Sequence, residues 1–549
     1  MLGLLSTLSG PDAALVFKTV LPIGIGLASA AYLTIKAATR NTLSIDKSIP
    51  IVSLRPGETT HDAEYEEDTD LFVRCEKQYG AVFNCYLRNR LYTVISEPLV
   101  REVFMTEDLS FAEAVNDLNG LHAQTMSIIK SRKDFSHPAF HAMVRDHLTP
   151  NLPLLTPKIV KCIQAVIERD VGCSQDRKLV EDPSLVFQAA ITSAMAAVFM
   201  GDEAAKDSGV LHAFAHCSED LARIISPDTR NKRWHALFNK VKYSVVSPLR
   251  KHVQVLADFA SPIVQERRRQ EAEALEKGIE YKRPIDIIQG ILDNFDKYGV
   301  FDLEDVCGHL IVLILAAVHT TSDGSTFLSY YLAAFPEYIE PLYQEQIEVL
   351  ELICKEREQQ RQSKLACGDV LSVDNFAGTD LDPKNDRDLS SLAVKRMVKM
   401  DSFVREYLRF RAERVELNHM AKNDVVLSNG MTIHKGGRVL VNLRSVHHNP
   451  ETQGEDPAEF RPWRFVGMGK IATNVSTDFL PFGMGKHACP GRFLAIQEIK
   501  TIGALLVSRY SKIEMQDSSK KMKALLSRVG DPVPTGLYFT SRDVRNSNN

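Results

Sequence analysis

The ten residues FGMGKHACPG, Phe482 to Gly491, place one cysteine among three glycines, a proline and two basic side chains. Glycine and proline give up helix propensity on both sides of Cys489, a cost that makes sense where the backbone must take a special path. A thiolate at Cys489 has three chemical uses. As a zinc ligand it would want three partners, and the nearest, His487, is crowded at a spacing of two. As a nucleophile it would need a base from elsewhere in the fold. As the ligand of a large, flat, iron-bearing cofactor it would need neighbours without side chains and backbone N–H groups to moderate the sulfur charge. The glycines suit the third use: Gly485 and Gly491 permit a tight loop, and PGRFLAIQEIK starts a helix with Pro490 in its first turn. From this segment alone Cys489 can equally be a small buried loop residue.

Other stretches carry further candidates. EYLR sets Glu406 and Arg409 on one helical face at i,i+3, which in isolation reads as a surface ion pair. LIVLILAAVHTTSDG, Leu310 to Gly324, is an apolar helix that turns polar at His319, Thr320 and Thr321. The plain reading is a buried helix whose hydroxyls bond back to the preceding turn.

In chain order these pieces resemble the cytochrome P-450 family. Phe482, Gly485, His487, Cys489 and Gly491 match its haem-ligand loop, F-x-x-G-x-[basic]-x-C-x-G. Glu406 and Arg409 match its E-x-x-R, and Arg464 in FRPWRF matches the arginine between that helix and the cysteine loop. The resemblance implies a mainly α fold with small β-sheets and haem b (iron protoporphyrin IX) as cofactor. It implies Cys489 as the axial ligand of the haem iron, and Glu406, Arg409 and Arg464 as a buried, charge-balanced triad. It also sets AAVHTTS against the [AG]-G-x-[DE]-T-T stretch of the distal helix, with Ala317 where glycine is usual and His319 where an acid is usual. Thr320 is then the oxygen-side threonine. Oxygen cleavage consumes protons, so Thr320, with His319 and Thr321 beside it, is the expected catalytic group. His487, His419 in ELNHM and Arg145 in HAMVR are the expected propionate partners. His141 replaces the tryptophan usual four residues before that arginine, and Ala412 replaces a common proline.

The implied activity is a haem-thiolate monooxygenase using O2 and electrons from NADPH through a separate flavoprotein reductase. Lys130, Arg132, Lys133, Lys486 and Arg492 supply positive charge for an acidic reductase surface. KHACPGRFLA and AAVHTTS are similar to fungal microsomal members, which implies a lipophilic, terpenoid- or steroid-like substrate of secondary metabolism. The alternatives are a haem-thiolate isomerase or dehydratase that does not use O2, and a membrane-tethered binding protein with a structural cysteine loop.

Composition sets the frame around these motifs. The chain has 549 residues, 44% hydrophobic and 25% charged, which suits a large buried core and argues against disorder. Its net charge is −4, so nothing recommends nucleic acid as a partner. Nine cysteines without a C-x-x-C pair read, for the most part, as reduced and structural. Residues 1–40 form a membrane anchor, with an apolar run from Leu15 to Ile35 long enough to cross ~30 Å of hydrocarbon. Lys36, Arg40 and Lys47 follow it and favour a cytoplasmic C-terminal side. The expected order is thus a single-pass anchor in the endoplasmic reticulum membrane, a proline-containing linker over 41–58, and a cytoplasmic haem-binding domain over 59–549. Ala81 to Ser96 and the segment around Asn429-Gly430 are expected hairpins.

Overall fold

The computed structural model describes residues 44–68, 70–119, 125, 127–130, 138–173, 177–225, 247–366, 389–411, 415–526 and 533–542. Both expected hairpins form. Strands β1 (Val82–Leu87) and β2 (Arg90–Ile95) pair antiparallel, from Val82 opposite Ile95 to Leu87 opposite Arg90. Their two turn residues, Arg88 and Asn89, take φ of 52° and 57°, the left-handed pair that matches strand twist in a two-residue turn. They belong to a five-stranded sheet of order β1-β2-β8-β5-β3, with β3 (Leu109–Ser110), β5 (Val415–Ala421) and β8 (Arg438–Asn442). Only β2 and β8 run parallel within it. The Asn429-Gly430 turn joins β6 (Val425–Val426) to β7 (Thr432–Ile433). A third sheet orders β4 (Lys178–Val180), β10 (Leu537–Ser541) and β9 (Tyr510–Met515) as β4-β10-β9.

Helices make the larger layer. They include α1 (Leu71–Tyr79), α2 (Phe111–Asn119), α3 (Leu152–Asp170), α4 (Pro183–Met200), α5 (Ser208–Ile225) and α6 (Leu249–Glu276). There follow α7 (Leu303–Ala334), α8 (Ile339–Ala366), α9 (Val398–Arg411) and α10 (Arg492–Arg509). The 32 residues of α7 start where the Asp302 side chain accepts from the Asp305 N–H, and run through the main core against α4, α5, α6 and α10. Its buried hydroxyls bond back to the turn before: Ser322 to the Val318 carbonyl (2.6 Å), Ser325 to Thr321 (2.8 Å) and Thr326 to Ser322 (2.8 Å). Helix α10 crosses α7 at Gly324, where a Cβ would stand 2.8 Å from Ile499 Cδ1. Tyr407 of α9 donates to the Gly324 carbonyl at 3.0 Å, so one small residue locks three helices together.

The linker ends earlier than expected. Ile49 and Val52 are buried, and Ile51 bridges Asn84. The Asp46 carboxylate accepts from the Thr432 N–H at 2.7 Å. These contacts strap residues 46–52 to β1 and β7 because their apolar side chains have core positions to fill. The expected anchor, 15–35, lies outside the described residues. Among those described, α4 and α7 are long and apolar enough to span a membrane, yet both are mostly buried in the body. Each of the described cysteines is free.

Two outcomes follow from the packing of the long helices. A Cβ at Gly308 of α7 would sit on the Ile128 carbonyl oxygen. Gly308→Ala should therefore cost about 2 kcal/mol in denaturant unfolding, the usual penalty of overpacking against backbone. Glu498 of α10 is fully buried, neither carboxylate oxygen has a hydrogen-bond partner among the described residues, and burial holds its pKa well above the carboxylate range. A folded pKa raised in this way loses stability as pH climbs above about 4.5, where only the unfolded chain ionises freely. Glu498→Gln should escape that loss, gaining over wild type by about 1.4 kcal/mol per pH unit until the folded-state pKa is reached.

Candidate active site

The cysteine loop is shaped by two left-handed glycines. Gly483 and Gly485 both take φ of 66°. The Cys489 N–H then closes the loop on the Phe482 carbonyl at 2.8 Å. Gly491 differs from the expectation: its φ is −82°, open to any residue, and the helix starts after it, at Arg492. Its use lies in space and donors. A Cβ there would stand 4.0 Å from the sulfur, and the Gly491 and Arg492 N–H groups both hydrogen-bond the sulfur. Burial raises the thiol pKa, and those two donors with the Arg492 charge oppose it. No His, Cys, Asp or Glu among the described residues joins Cys489 in a group able to hold a metal.

Arg492 is bound inward. Its guanidinium donates to the Cys489 carbonyl (2.9 Å) and the Thr473 carbonyl (3.0 Å), so it braces the loop instead of presenting charge to a partner. Lys130 is engaged with Asp302 (2.8 Å) and Glu304 (2.6 Å). Lys486 is half exposed and pairs with Glu107. Arg132 and Lys133 lie outside the described residues.

On α7 the polar triplet splits into three environments, because successive side chains on a helix point about 100° apart. Ala316 and Thr320 are exposed although the helix runs through the core, while Val318 and Thr321 are buried. An accessible strip of small residues in the middle of a core helix means that open space borders it there. Thr320 Oγ1 donates to the Ala316 carbonyl at 2.9 Å. Thr321 is turned away into the packing and does not join the accessible group, contrary to expectation. His319 lies between these faces, with its pKa lowered mainly by burial. Thr320 precedes Gly324 by one turn, and Cys489 lies just before α10, ten residues ahead of Ile499. A lone sulfur with backbone donors, and an accessible Ala/Thr strip on the helix that α10 crosses, fit a flat iron-bearing cofactor.

Glu406 and Arg409 are both 0% exposed. Arg409 forks onto the carboxylate, Nε to Oε2 and Nη2 to Oε1 at 2.8 Å each, and Arg464 Nε adds contacts of 3.1 and 3.2 Å. The group is not charge-balanced: two guanidiniums share one carboxylate. Backbone carbonyls take up the surplus. Arg409 reaches the carbonyls of His447 (2.6 Å) and Pro457 (2.7 Å), and Arg464 those of Gln453 (3.0 Å), Glu455 (2.8 Å) and Asp456 (3.0 Å). His447 continues the chain, its Nε2 accepting from the Leu480 N–H at 3.0 Å, two residues before the cysteine loop. Sequence inspection passed over Arg405, whose buried guanidinium lies 3.8 Å over the Phe479 ring and donates to the Ile471 carbonyl. Its only signal was a cation within an otherwise apolar helical stripe.

The expected propionate partners separate. Arg145 sits in a π-turn, Val144–Leu148, that buries Val144 and Leu148 and turns Arg145 outward. Its exposed guanidinium pairs with Asp146, which Lys297 also holds. His419 is buried, edge-on to Phe104 at 5.2 Å, with Nδ1 against the Leu417 carbonyl at 2.6 Å. Phe104 also abuts Gly485, so His419 stands one residue away from the loop. The His487 side chain lies outside the described residues.

Removing the central carboxylate would leave two desolvated guanidiniums facing each other. Glu406→Gln should cost about 3–5 kcal/mol. It should also sharply reduce the ferrous–CO signal per milligram of purified protein, with Arg409→Lys, which cannot fork, intermediate.

Comparison with known proteins agrees with this geometry. The chain is 27% identical over 461 residues to cytochrome P450 monooxygenase 151 of Postia placenta, covering 80% of this chain and 82% of that one. It is 25% identical over 397 residues to cytochrome P450 monooxygenase paxP of Penicillium paxilli, covering 71% and 69%. The fold is similar to that of retinoic acid-bound cyanobacterial CYP120A1, with a TM-score of 0.61 at 17% identity over 91% of this chain and all of that one. The family model for cytochrome P450 matches residues 62–365 and 383–535, nearly the whole body described above. The chain therefore belongs to the cytochrome P450 family and is a haem-thiolate monooxygenase.

Proposed function

We propose that this monooxygenase oxidises a lipophilic, terpenoid- or steroid-like molecule of fungal secondary metabolism. It works from the cytoplasmic face of the endoplasmic reticulum, on a single N-terminal span, with electrons from NADPH through a flavoprotein reductase. The observation that carries the reading is the accessible Ala316–Thr320 strip on a core helix whose crossing partner leads back to Cys489. Names of the relatives support the class, since those from Penicillium paxilli and Postia placenta are all monooxygenases. An apolar run at Leu15–Ile35 supports the anchor, and a bilayer-soluble substrate suits an anchored enzyme.

Bound at Cys489, haem would supply the redox chemistry, the use of O2 and of electrons drawn from NADPH to oxidise the substrate. The protein's own residues do the rest. Cys489 would hold the iron, and the Gly491 and Arg492 N–H groups would temper the negative charge of its sulfur. Ala316 and Ala317 keep side-chain volume low beside the pocket. Thr320 directs its hydroxyl proton at the Ala316 carbonyl, which leaves its oxygen lone pairs free to accept from a donor in the pocket. His319 replaces the usual acid as the titratable group of the site. Glu406, Arg409 and Arg464 hold the framework, with His419 and His487 on the propionate side.

Cys489→Ser should abolish both the thiolate-type ferrous–CO band and NADPH-dependent product formation in microsomes supplied with candidate lipids. Thr320→Ala should keep that band while releasing several times more peroxide per NADPH consumed, since a lost proton position diverts oxygen from product. A serine variant with unchanged spectrum and turnover would overturn the assignment of Cys489.

A further inference from the structure

Helix α5 carries the stretch HAFAH, His212 to His216, with two imidazoles four residues apart. Ala213, Phe214 and Cys217 are buried, so that side of the helix turns to the core. His212, His216 and Glu219 stand on the other side, one above the next at i, i+4 and i+7. His212 is exposed, and the side chains of His216 and Glu219 are 41% and 38% exposed. Two histidines on an outer helix face are most simply a solvated pair, or two rings in contact.

Two geometric details give the pair more than that. The ring centres of His212 and His216 lie 4.3 Å apart, with their planes tilted by 44°. Two imidazoles on one ion, each through a bond of about 2.0–2.1 Å, hold their ring centres roughly 4.5–5 Å apart. A small rotation of exposed side chains is enough to reach that separation. The second detail is the carboxylate: His216 Nδ1 is 3.0 Å from Glu219 Oε2. A proton held on Nδ1 by a carboxylate fixes the tautomer, leaves the Nε2 lone pair bare and raises its basicity, as in metal-ligating histidines. Lys251 of α6, a cation that would repel an ion, is paired with Asp220 at 2.6 Å. His252 sets the limit of the group. Its ring is 6.5 Å from that of His212, it is buried, and its Nε2 is committed to Asp220 at 2.9 Å. No three His, Cys, Asp or Glu side chains among the described residues are placed to hold a metal together. The protein thus offers two nitrogens, and water fills the other positions on the ion. Neutral imidazoles select late first-row ions over Mg2+ or Ca2+, which want oxygen.

We propose that His212 and His216 form a surface chelate for a divalent late transition-metal ion of the class Ni(II), Cu(II) or Zn(II), with Glu219 as the positioning residue that orients His216. Two imidazole nitrogens replace two waters on the ion, and no oxidation state changes. The ion ties together one turn of α5 on its outer face, so occupancy favours the closed helix over its open form. The chelate is independent of the haem and of the monooxygenase reaction.

The test uses the full-length haem-loaded protein, without a polyhistidine tag, in lipid nanodiscs. Ni(II), which is redox-inert toward free thiols, serves as the probe in equilibrium dialysis, with bound nickel counted by elemental mass spectrometry. The wild type should take up one saturable equivalent. His212→Gln and His216→Gln should each abolish it, and Glu219→Gln should raise its Kd about tenfold. His434→Gln is the control, since that imidazole also has a carboxylate partner, Asp424 at 3.0 Å, but no second histidine four residues away. It should bind nickel as the wild type does. Backbone hydrogen exchange across His212–Glu219 should slow with Ni(II) in the wild type and not in the two histidine variants. Without metal, exchange there should be the same in Glu219→Gln as in the wild type, and every variant should keep its ferrous–CO spectrum. Absence of a saturable equivalent would overturn the proposal, as would one that survives both α5 histidine variants or is lost equally in His434→Gln. Nickel that binds at His212 and His216 without slowing exchange would overturn the clip on α5.

Discussion

Everything around the cysteine hangs on one carboxylate. Glu406 sits fully buried between two guanidiniums, an arrangement that carries net positive charge where none can be solvated by water. The fold solves this by bending the segment from Gln453 to Glu459 so that its carbonyl oxygens face inward onto Arg409 and Arg464. Those carbonyls belong to irregular backbone that has no ladder of its own to satisfy, so donor and acceptor needs cancel. The link from Arg409 through His447 to Leu480 then carries the rigidity of α9 into the cysteine loop. Loop geometry near Cys489 is thus set largely by a charge cluster far along the chain.

Helix α7 meets two opposed demands. Its buried face must pack tightly, which it does with Gly308 and Gly324 at the closest approaches and with serines and threonines satisfied by their own helix. Its other face must stay small and open. One residue of rotation separates Thr320, in the open, from Thr321, in the packing, and His319 is partly buried between them. The three adjacent polar residues are therefore not a cluster but three assignments.

The same logic sorts the cations. Arg405, Arg409, Arg464 and Arg492 all point inward and end on carbonyls, a carboxylate or aromatic faces. Basic residues near the cysteine loop thus include braces as well as surface charge, and composition cannot distinguish them. Arginine suits the interior role because its planar fork can satisfy several acceptors at once.

How much of this was legible beforehand differs residue by residue. The sequence alone pointed to the haem-thiolate chemistry through the ordered resemblance of its motifs to a known family, whereas the residues around Cys489, the E-x-x-R and the apolar helix turning polar each kept a plain structural reading when taken singly. It also determined both hairpins, since Asn429-Gly430 and the alternation around Arg88 act within a few residues. Only the tertiary structure decided that Gly491 serves by space and an N–H donor, that Arg145 faces Asp146, that Thr321 is packing, and that Glu406 is outnumbered by its partners. Each of these depends on which segment, remote in sequence, arrives at the residue's side. Spacing along a chain fixes direction on a helix or strand, but not what waits there.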